Sequence, residues 1–379
     1  MNRPRRHLAL LLTACLSLLA ACQAADRADR PAAIDGDAAA ELSPLATIEQ
    51  IRALDYRLQW HMGLAVPAAV DIQHVAVMDN GDLAVVESDN FVTYIEGQTG
   101  EVRWRKVVGN RFQDLMAPVF HNEHVLVSTA AQVFVLSAIN GRLVDVYDLE
   151  HSAVTPPAIE RGHIIFGGAD GKVFAHELGT GIFIWAYQMS GAVETRLLDL
   201  SGQIFLVDRA GHVAAFNAES GRIIYRKTDP PYDGVVAAPV AHEALVYVAS
   251  LDQTLYAFNR TGGRLAWRYL TERPLRRTPV VLGNRLYQYT SDRGMVAMEA
   301  ATSRELWRAD WDGVPVNLRD SELIVVEGAN TLAVADVETG EIYDRHTFAA
   351  VDRFIFPQSE GGPLYLIAGD GRIMKLGPR

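Results

Sequence analysis

The stretch DGKVFAHELGTGIFIW, residues 170–185, reads as a turn, an alternating apolar run, a second turn at Thr180-Gly181 and another alternating run ending on Trp185. The pattern recurs along the chain. Aligned on the second turn, it gives Thr99-Gly100, Asn140-Gly141, Thr180-Gly181, Ser220-Gly221, Gly262-Gly263, Thr302-Ser303 and Thr339-Gly340, with successive anchors 37 to 42 residues apart. Ten residues before each anchor lies another turn, at Asn90, Ala131, Gly171, Gly211, Gln253, Arg293 and Asn330. Four positions after that turn Ala175, Ala215, Ala257 and Ala297 recur. Four positions after the anchor stands Trp104, Trp185, Trp267 or Trp307, with Tyr225 once, whereas Asp145 and Asp344 break the rule. Self-similarity at a fixed period of this length is the mark of a repeat array.

The period identifies the unit. VFAHEL, VAAFNA and LYAFNR are short alternating runs bounded by Gly, Asn, Asp and Thr, which is the strand signal. Upstream of each lies a second β-rich run, such as HIIFGG or LVYVAS, and before that a third that often carries proline, such as TPPAI or AAPVA. Four strands per roughly 40 residues predict a propeller blade rather than a helical repeat. The tail, residues 361–379, matches three strands of a blade and stops before the Trp-bearing fourth. LDYRLQWHMGL, residues 54–64, looks like that missing strand, with Trp60 in the Trp slot. The N-terminal strand is thus expected to complete the last blade and close an all-β, eight-bladed ring of four-stranded antiparallel blades, removing an open sheet edge. Seven blades is the alternative count. Trp60, Trp104, Trp185, Tyr225, Trp267 and Trp307 are expected to staple adjacent blades, because an indole buries about 150–250 Å² and needs a partner for its N–H.

The chain has 379 residues, 49% hydrophobic and 21% charged, and carries a net charge of −11. An acidic protein of this kind lacks the basic stripe that nucleic-acid phosphates require. Residues 1–21 combine Arg3, Arg5 and Arg6 with an apolar run too short to span a bilayer, the pattern of a secretion signal. Losing it takes the charge from −11 to −14. Leu19-Ala20-Ala21-Cys22 resembles the bacterial lipobox, which implies lipidation of Cys22. Gln23 after it implies the outer membrane, facing the periplasm. Cys15 and Cys22 are the two cysteines, so the folded region contains neither a disulfide, a thiolate metal site nor a cysteine nucleophile. Residues 22–50 are expected to form a tether, Ala-, Asp- and Arg-rich over 23–42, with a short helix over 43–54 capped by Ser43, Pro44 in its first position, and Ile48, Ile51 and Leu54 on one face. The propeller proper is expected over 51–379.

The repeat (turn, h-x-A-h, T-G-x-h-h-W) resembles the pyrroloquinoline-quinone-type propeller repeat. With the lipobox and tether, the whole chain is similar to the outer-membrane protein assembly factor B (BamB) lipoproteins. That resemblance implies a monomeric, non-catalytic scaffold without cofactor that binds the barrel-insertion subunit of the assembly machinery. It also implies a partner surface with an Arg in the loop before one blade and an acidic pair before the next. Arg196 in GAVETRLLD matches the first, whereas GVVAAP (234–239) has no acidic residue where the pair belongs. A rival from another class, a quinone-dependent dehydrogenase, shares the ring but implies a vicinal cysteine pair and Ca²⁺ carboxylates that do not stand out here. A third reading is an envelope propeller lipoprotein that binds another protein or a ligand.

Two interblade loops stand out as docking candidates. TERPLRR (271–277) sets Arg273, Arg276 and Arg277 against an acidic background, where the potential reverses sign. DPPYDG (229–234), one blade earlier, offers Tyr232 and Asp233 on a loop stiffened by Pro230 and Pro231. HNEH (121–124) has a metal-like His spacing but falls in a hairpin turn, where solvated histidines are expected.

Overall fold

A computed structural model describes residues 44–357 and 360–379. The leader, Cys22 and Ser43 lie outside the described residues, as does the tether up to residue 43. The remainder forms eight four-stranded antiparallel sheets. Blade 1 spans Ile72–Val107, blade 2 Val119–Asp148, blade 3 Ala158–Gln188 and blade 4 Leu198–Lys227. Blade 5 spans Val240–Leu270, blade 6 Val280–Ala309 and blade 7 Val314–Thr347. Blade 8 takes three strands from Arg353–Pro378 and its outermost strand, Tyr56–Gly63, from the start of the ring. That closing strand pairs from Tyr56↔Pro378 to Gly63↔Arg372, as the sequence pattern predicted. Each sheet keeps two edges, its innermost and outermost strands, and the count of blades is eight.

Within a blade the second and third strands are buried on both faces, which accounts for runs such as LAVVE and LYAFN. Between the third and fourth strands a bulge recurs at the same place, and the repeated alanine lies directly across from the aromatic residue: Ala175↔Trp185, Ala215↔Tyr225, Ala257↔Trp267 and Ala297↔Trp307. A methyl group there leaves the indole room to lie toward the next blade. Blade 1 has Tyr94 instead, stacked on Trp104 with ring centroids 5.5 Å apart.

Each indole then reaches the neighbouring blade. Trp60 Nε1 donates to Gly97 O at 2.9 Å, Trp104 to Ala138 O at 2.9 Å, Trp185 to Ala218 O at 3.0 Å, Trp267 to Ala300 O at 3.1 Å and Trp307 to Val337 O at 2.9 Å. The ring sits so close beneath the neighbour's turn that a Cβ on Gly221 would come within 2.5 Å of Trp185. Gly221 also has φ 65°, which favours glycine. Tyr225 lies under Gly263 in the same way.

The N-terminal helix differs from expectation. It runs Ile48–Ala53 with Thr47 as N-cap, not from Ser43-Pro44. Thr47 Oγ1 accepts from the Gln50 N–H at 3.1 Å and Gln50 Oε1 accepts from the Thr47 N–H at 3.0 Å, so two otherwise orphaned donors are satisfied reciprocally. Ile51 and Leu54 are buried, but Ile48 is 68% exposed; Leu45 and Ala46 fill the face assigned to it and pack among residues of blades 7 and 8.

Candidate functional site

The antiparallel order sorts the connections by end. Loops between blades, and turns between second and third strands, lie at one end of every sheet; the remaining hairpins lie at the other. The aromatic staples therefore serve the hairpin end, while the segments 191–197, 228–239 and 271–279 all emerge at the loop end.

The loop at 228–239 is tied to the turn of blade 5. The Tyr232 N–H donates to Asp252 Oδ2 at 2.8 Å, and the same oxygen accepts the Tyr256 hydroxyl at 2.7 Å. Burial, followed by Asp252, raises the Tyr256 pKa. The Tyr232 ring is left 66% exposed. Asp233 is exposed, its carboxylate accepting from the Gly234 N–H at 2.7 Å and its carbonyl lying where a Cβ on Gly211 would sit 2.3 Å away.

The loop at 271–279 is anchored by Leu275, fully buried, whose N–H donates to Ser250 O at 3.0 Å. Thr271 binds Gln253 O through both N–H and hydroxyl. The Ala238 N–H donates to Thr278 Oγ1 at 3.1 Å, which joins the two loops into one surface. Arg277 is engaged: its guanidinium makes a two-pronged bond to Asp312 and lies 4.0 Å from the centre of the Tyr289 ring. Asp312 is held below the usual carboxylate range by that guanidinium. Arg273 and Arg276 are exposed and make no ion pair among the described residues.

Arg196 stands elsewhere. It is exposed at the entry to the inner strand of blade 4, where blades 2, 3 and 5 have Ala117, Pro156 and Ala238. It lines a cavity of about 700 Å³ walled by Val75, Val77, Pro118 and Pro157. The turn at Arg209 separates it from Tyr232: the Arg209 N–H bonds Ala192 O at 2.9 Å on one side, and Arg209 O lies 2.5 Å from a Cβ position on Gly234 on the other. Tyr232 and Asp233 thus share a surface with Arg273 and Arg276, and Arg196 flanks it.

His121 and His124 face each other across the first hairpin of blade 2, and burial followed by His124 lowers the His121 pKa. Among the described residues no group of three His, Cys, Asp or Glu converges on a metal-sized point. Sequence reasoning overlooked the loop between blades 1 and 2. There the buried Asn90 side chain donates to Asn110 O and Gln113 O, both at 2.8 Å, and holds out Phe112, 82% exposed. An Arg-Phe pair inside a polar turn was the available signal.

These blades, their recurring Ala–Trp pairs and the closing N-terminal strand define a closed β-propeller built from pyrroloquinoline-quinone-type repeats. A family profile described as "Outer membrane protein assembly factor BamB" matches residues 47–210 and 209–352, and the chain belongs to that family. It is 25% identical over 209 residues to the outer membrane protein assembly factor BamB of Yersinia pestis, covering 50% of this chain and 52% of that one. It is 29% identical over 145 residues to BamB of Legionella pneumophila (strain Paris), covering 35% and 37%. A third relative is the tetrathionate hydrolase of Acidithiobacillus ferrooxidans, 23% identical over 186 residues, 48% of this chain and 34% of that one. The matched segments span about half or less of these relatives. In fold, the chain resembles the crystal structure of BamB from Moraxella catarrhalis, with a TM-score of 0.66 and 16% identity over 85% of this chain and 99% of that one. The computationally designed Ika8 protein is similar to the same degree, TM-score 0.66 at 15% identity over 84% and 98%. No helix among the described residues is long and apolar enough to cross a membrane.

Proposed function

We propose that this protein is a non-catalytic scaffold in the assembly of outer-membrane proteins, tethered by lipid on Cys22 to the outer membrane and facing the periplasm as a monomer. Family membership supports the process. The joined loops of blades 4 to 6 support the mode of action. Docking falls on Arg273 and Arg276, with Tyr232 and Asp233 beside them, Arg277 shaping the floor through Asp312, and Arg196 at the margin. The observation that carries this is the pair of unengaged guanidinium groups on a loop locked by Leu275 and Thr278, in a protein of net charge −11. Fixed loops on a rigid ring bind at low ordering cost, and cations against a negative background steer an acidic partner.

The test is recovery of the organism's barrel-assembly subunit with the lipidated protein. Arg273→Glu with Arg276→Glu is expected to abolish co-purification, and equal recovery sinks this surface. Cys22→Ala is expected to leave the protein in the soluble periplasmic fraction; retention in the membrane fraction removes the anchor. An enzymatic role is tested by supplying pyrroloquinoline quinone with Ca²⁺, or tetrathionate; turnover of either kind overturns the scaffold reading.

A further inference from the structure

The loops between blades do more than join them. Those at 108–118, 149–157, 189–197, 228–239 and 271–279 each bury an aliphatic side chain in the seam between their two blades: Leu115, Ala153, Val193, Val235 and Leu275. The loop between blades 6 and 7 is residues 310–313, Asp-Trp-Asp-Gly, and has none to offer. Its buried Trp311 turns instead to the outer hairpin of blade 7, where the indole N–H donates to Gly340 O at 2.9 Å.

That seam keeps an open pocket of about 350 Å³, lined by Arg277, Val280, Tyr287, Tyr289, Met295 and Val314. It lies where Leu275 sits one blade earlier. Leu275 shares a cluster with Ala237, Tyr247, Ala249 and Leu255, and the strand pairings make Arg277, Tyr287, Tyr289 and Met295 their counterparts. At the rim Arg277 is spent on Asp312 and Thr278 on the Ala238 N–H, so no free charge is left to hold a polar ligand. A recess at the lower limit of small-molecule sites, about 300–1,000 Å³, suits a single large side chain.

We infer that this pocket receives a large apolar side chain from an acidic segment of the partner protein, an inference that rests on the docking surface proposed above. Charge complementarity names the occupant. Arg276 precedes Arg277 on the pocket's own loop, and both Arg276 and Arg273 are exposed and reach no carboxylate among the described residues. A segment whose carboxylates meet these two guanidinium groups runs beside the pocket mouth. Its apolar side chain then takes the place that Leu275 fills in the seam before, so the protein's own packing is the template. Anchors seated in a ready-made pocket dominate interface energetics, because little ordering is left to be done on binding.

The probe is a synthetic peptide with one phenylalanine between two pairs of aspartates, its binding to the full-length protein followed by fluorescence anisotropy. One control replaces the phenylalanine with alanine, and a second replaces the aspartates with asparagines. Wild-type protein is expected to bind the probe about tenfold or more tightly than the alanine control, through burial of one aromatic side chain. Val314→Trp from the exposed rim and Val280→Phe from the floor each fill the pocket. Either is expected to bring the probe down to the level of the alanine control at unchanged melting temperature, and using two positions guards against one that disturbs the fold. Arg273→Glu with Arg276→Glu is expected to weaken the probe and the alanine control alike. Equal binding of the probe and the alanine control, or indifference to both filled variants, overturns the pocket and leaves the docking surface standing. Equal binding of the probe and the asparagine control overturns the docking surface and, with it, the acidic segment inferred here. No binding of the probe overturns the inference, as does a change in self-association as the sole effect of Val314→Trp, which assigns the pocket to a second copy.

Discussion

Blades 2 and 3 occupy neighbouring places in the ring with the same four strands, yet they hold to the next blade differently. In blade 3, Trp185 lies across from Ala175, hydrogen-bonds Ala218 O and fills the space beneath Gly221. In blade 2 the slot holds Asp145, and Tyr147, two residues further on, takes over: a Cβ on Gly181 would meet its ring at 2.4 Å, and its hydroxyl accepts the Gly179 N–H. A staple can therefore slide along its strand by one side-chain period and keep the same face toward the neighbour. What the slide gives up is cover over the half-strand before it, where Leu143, Val144 and Val146 are exposed. Closure and exposure are set by the same residue.

The largest way to sharpen this contrast is alkaline pH. Tyr247, Tyr287 and Tyr365 pack on the staples Trp267, Trp307 and Trp60, and burial raises each to about 12. The unfolded chain ionises them near 10 while the folded chain keeps its protons, so stability is lost as pH rises from about 10 to 12, by about 1.4 kcal/mol per pH unit for each tyrosine. Hydrogen exchange at pH 10 to 11 is expected to loosen blades 5, 6 and 8 before blade 3, which carries Ile165 at the matching position and an indole as its staple. Uniform loosening contradicts this.

Next comes Trp185→Ala, expected to cost about 3–5 kcal/mol by urea unfolding. Asp145→Ala is expected to fall within about 0.5 kcal/mol, as its side chain reaches no neighbouring blade. If both cost alike, the two-residue slide is wrong. Tyr147→Phe isolates the hydroxyl and is expected to cost about 1 kcal/mol, since the Gly179 N–H loses its acceptor. Asp145→Trp alone is expected to gain nothing, because Tyr147 already fills the space under Gly181. Smallest is Arg273→Glu with Arg276→Glu, expected within about 0.5 kcal/mol in stability however large its effect on docking. A drop of several kcal/mol there places these arginines in the architecture.

Much of this was legible along the chain because it is local and repeated. A 37- to 42-residue period, turn residues at fixed offsets and the Ala–Trp spacing encode strands, hairpins and cross-strand pairs, all decided within one blade. Trp60 in residues 54–64 even announced ring closure, since a fourth strand was missing from the other end. The helix start was misplaced because Ser43-Pro44 and Thr47 both satisfy cap rules, and only the reciprocal Thr47–Gln50 bonds choose between them. Asp145 looked like a degenerate copy because spacing alone does not show that Tyr147 points the same way two residues on.

The sequence by itself determined the blade, its repetition and the strand expected to join the two ends, because alternation and turn chemistry act over a few residues, while the structure decided for eight blades over seven. Tertiary structure alone decided which arginines are free and which are spent: Arg277 meets Asp312 from the next interblade loop and sits on Tyr289, while Arg273 and Arg276 reach no carboxylate among the described residues. It also decided that the loops of blades 4 to 6 form one surface and that most of the outermost strand of blade 2 is exposed. Those outcomes depend on distances between blades, which the packing of a closed ring fixes and no single repeat contains.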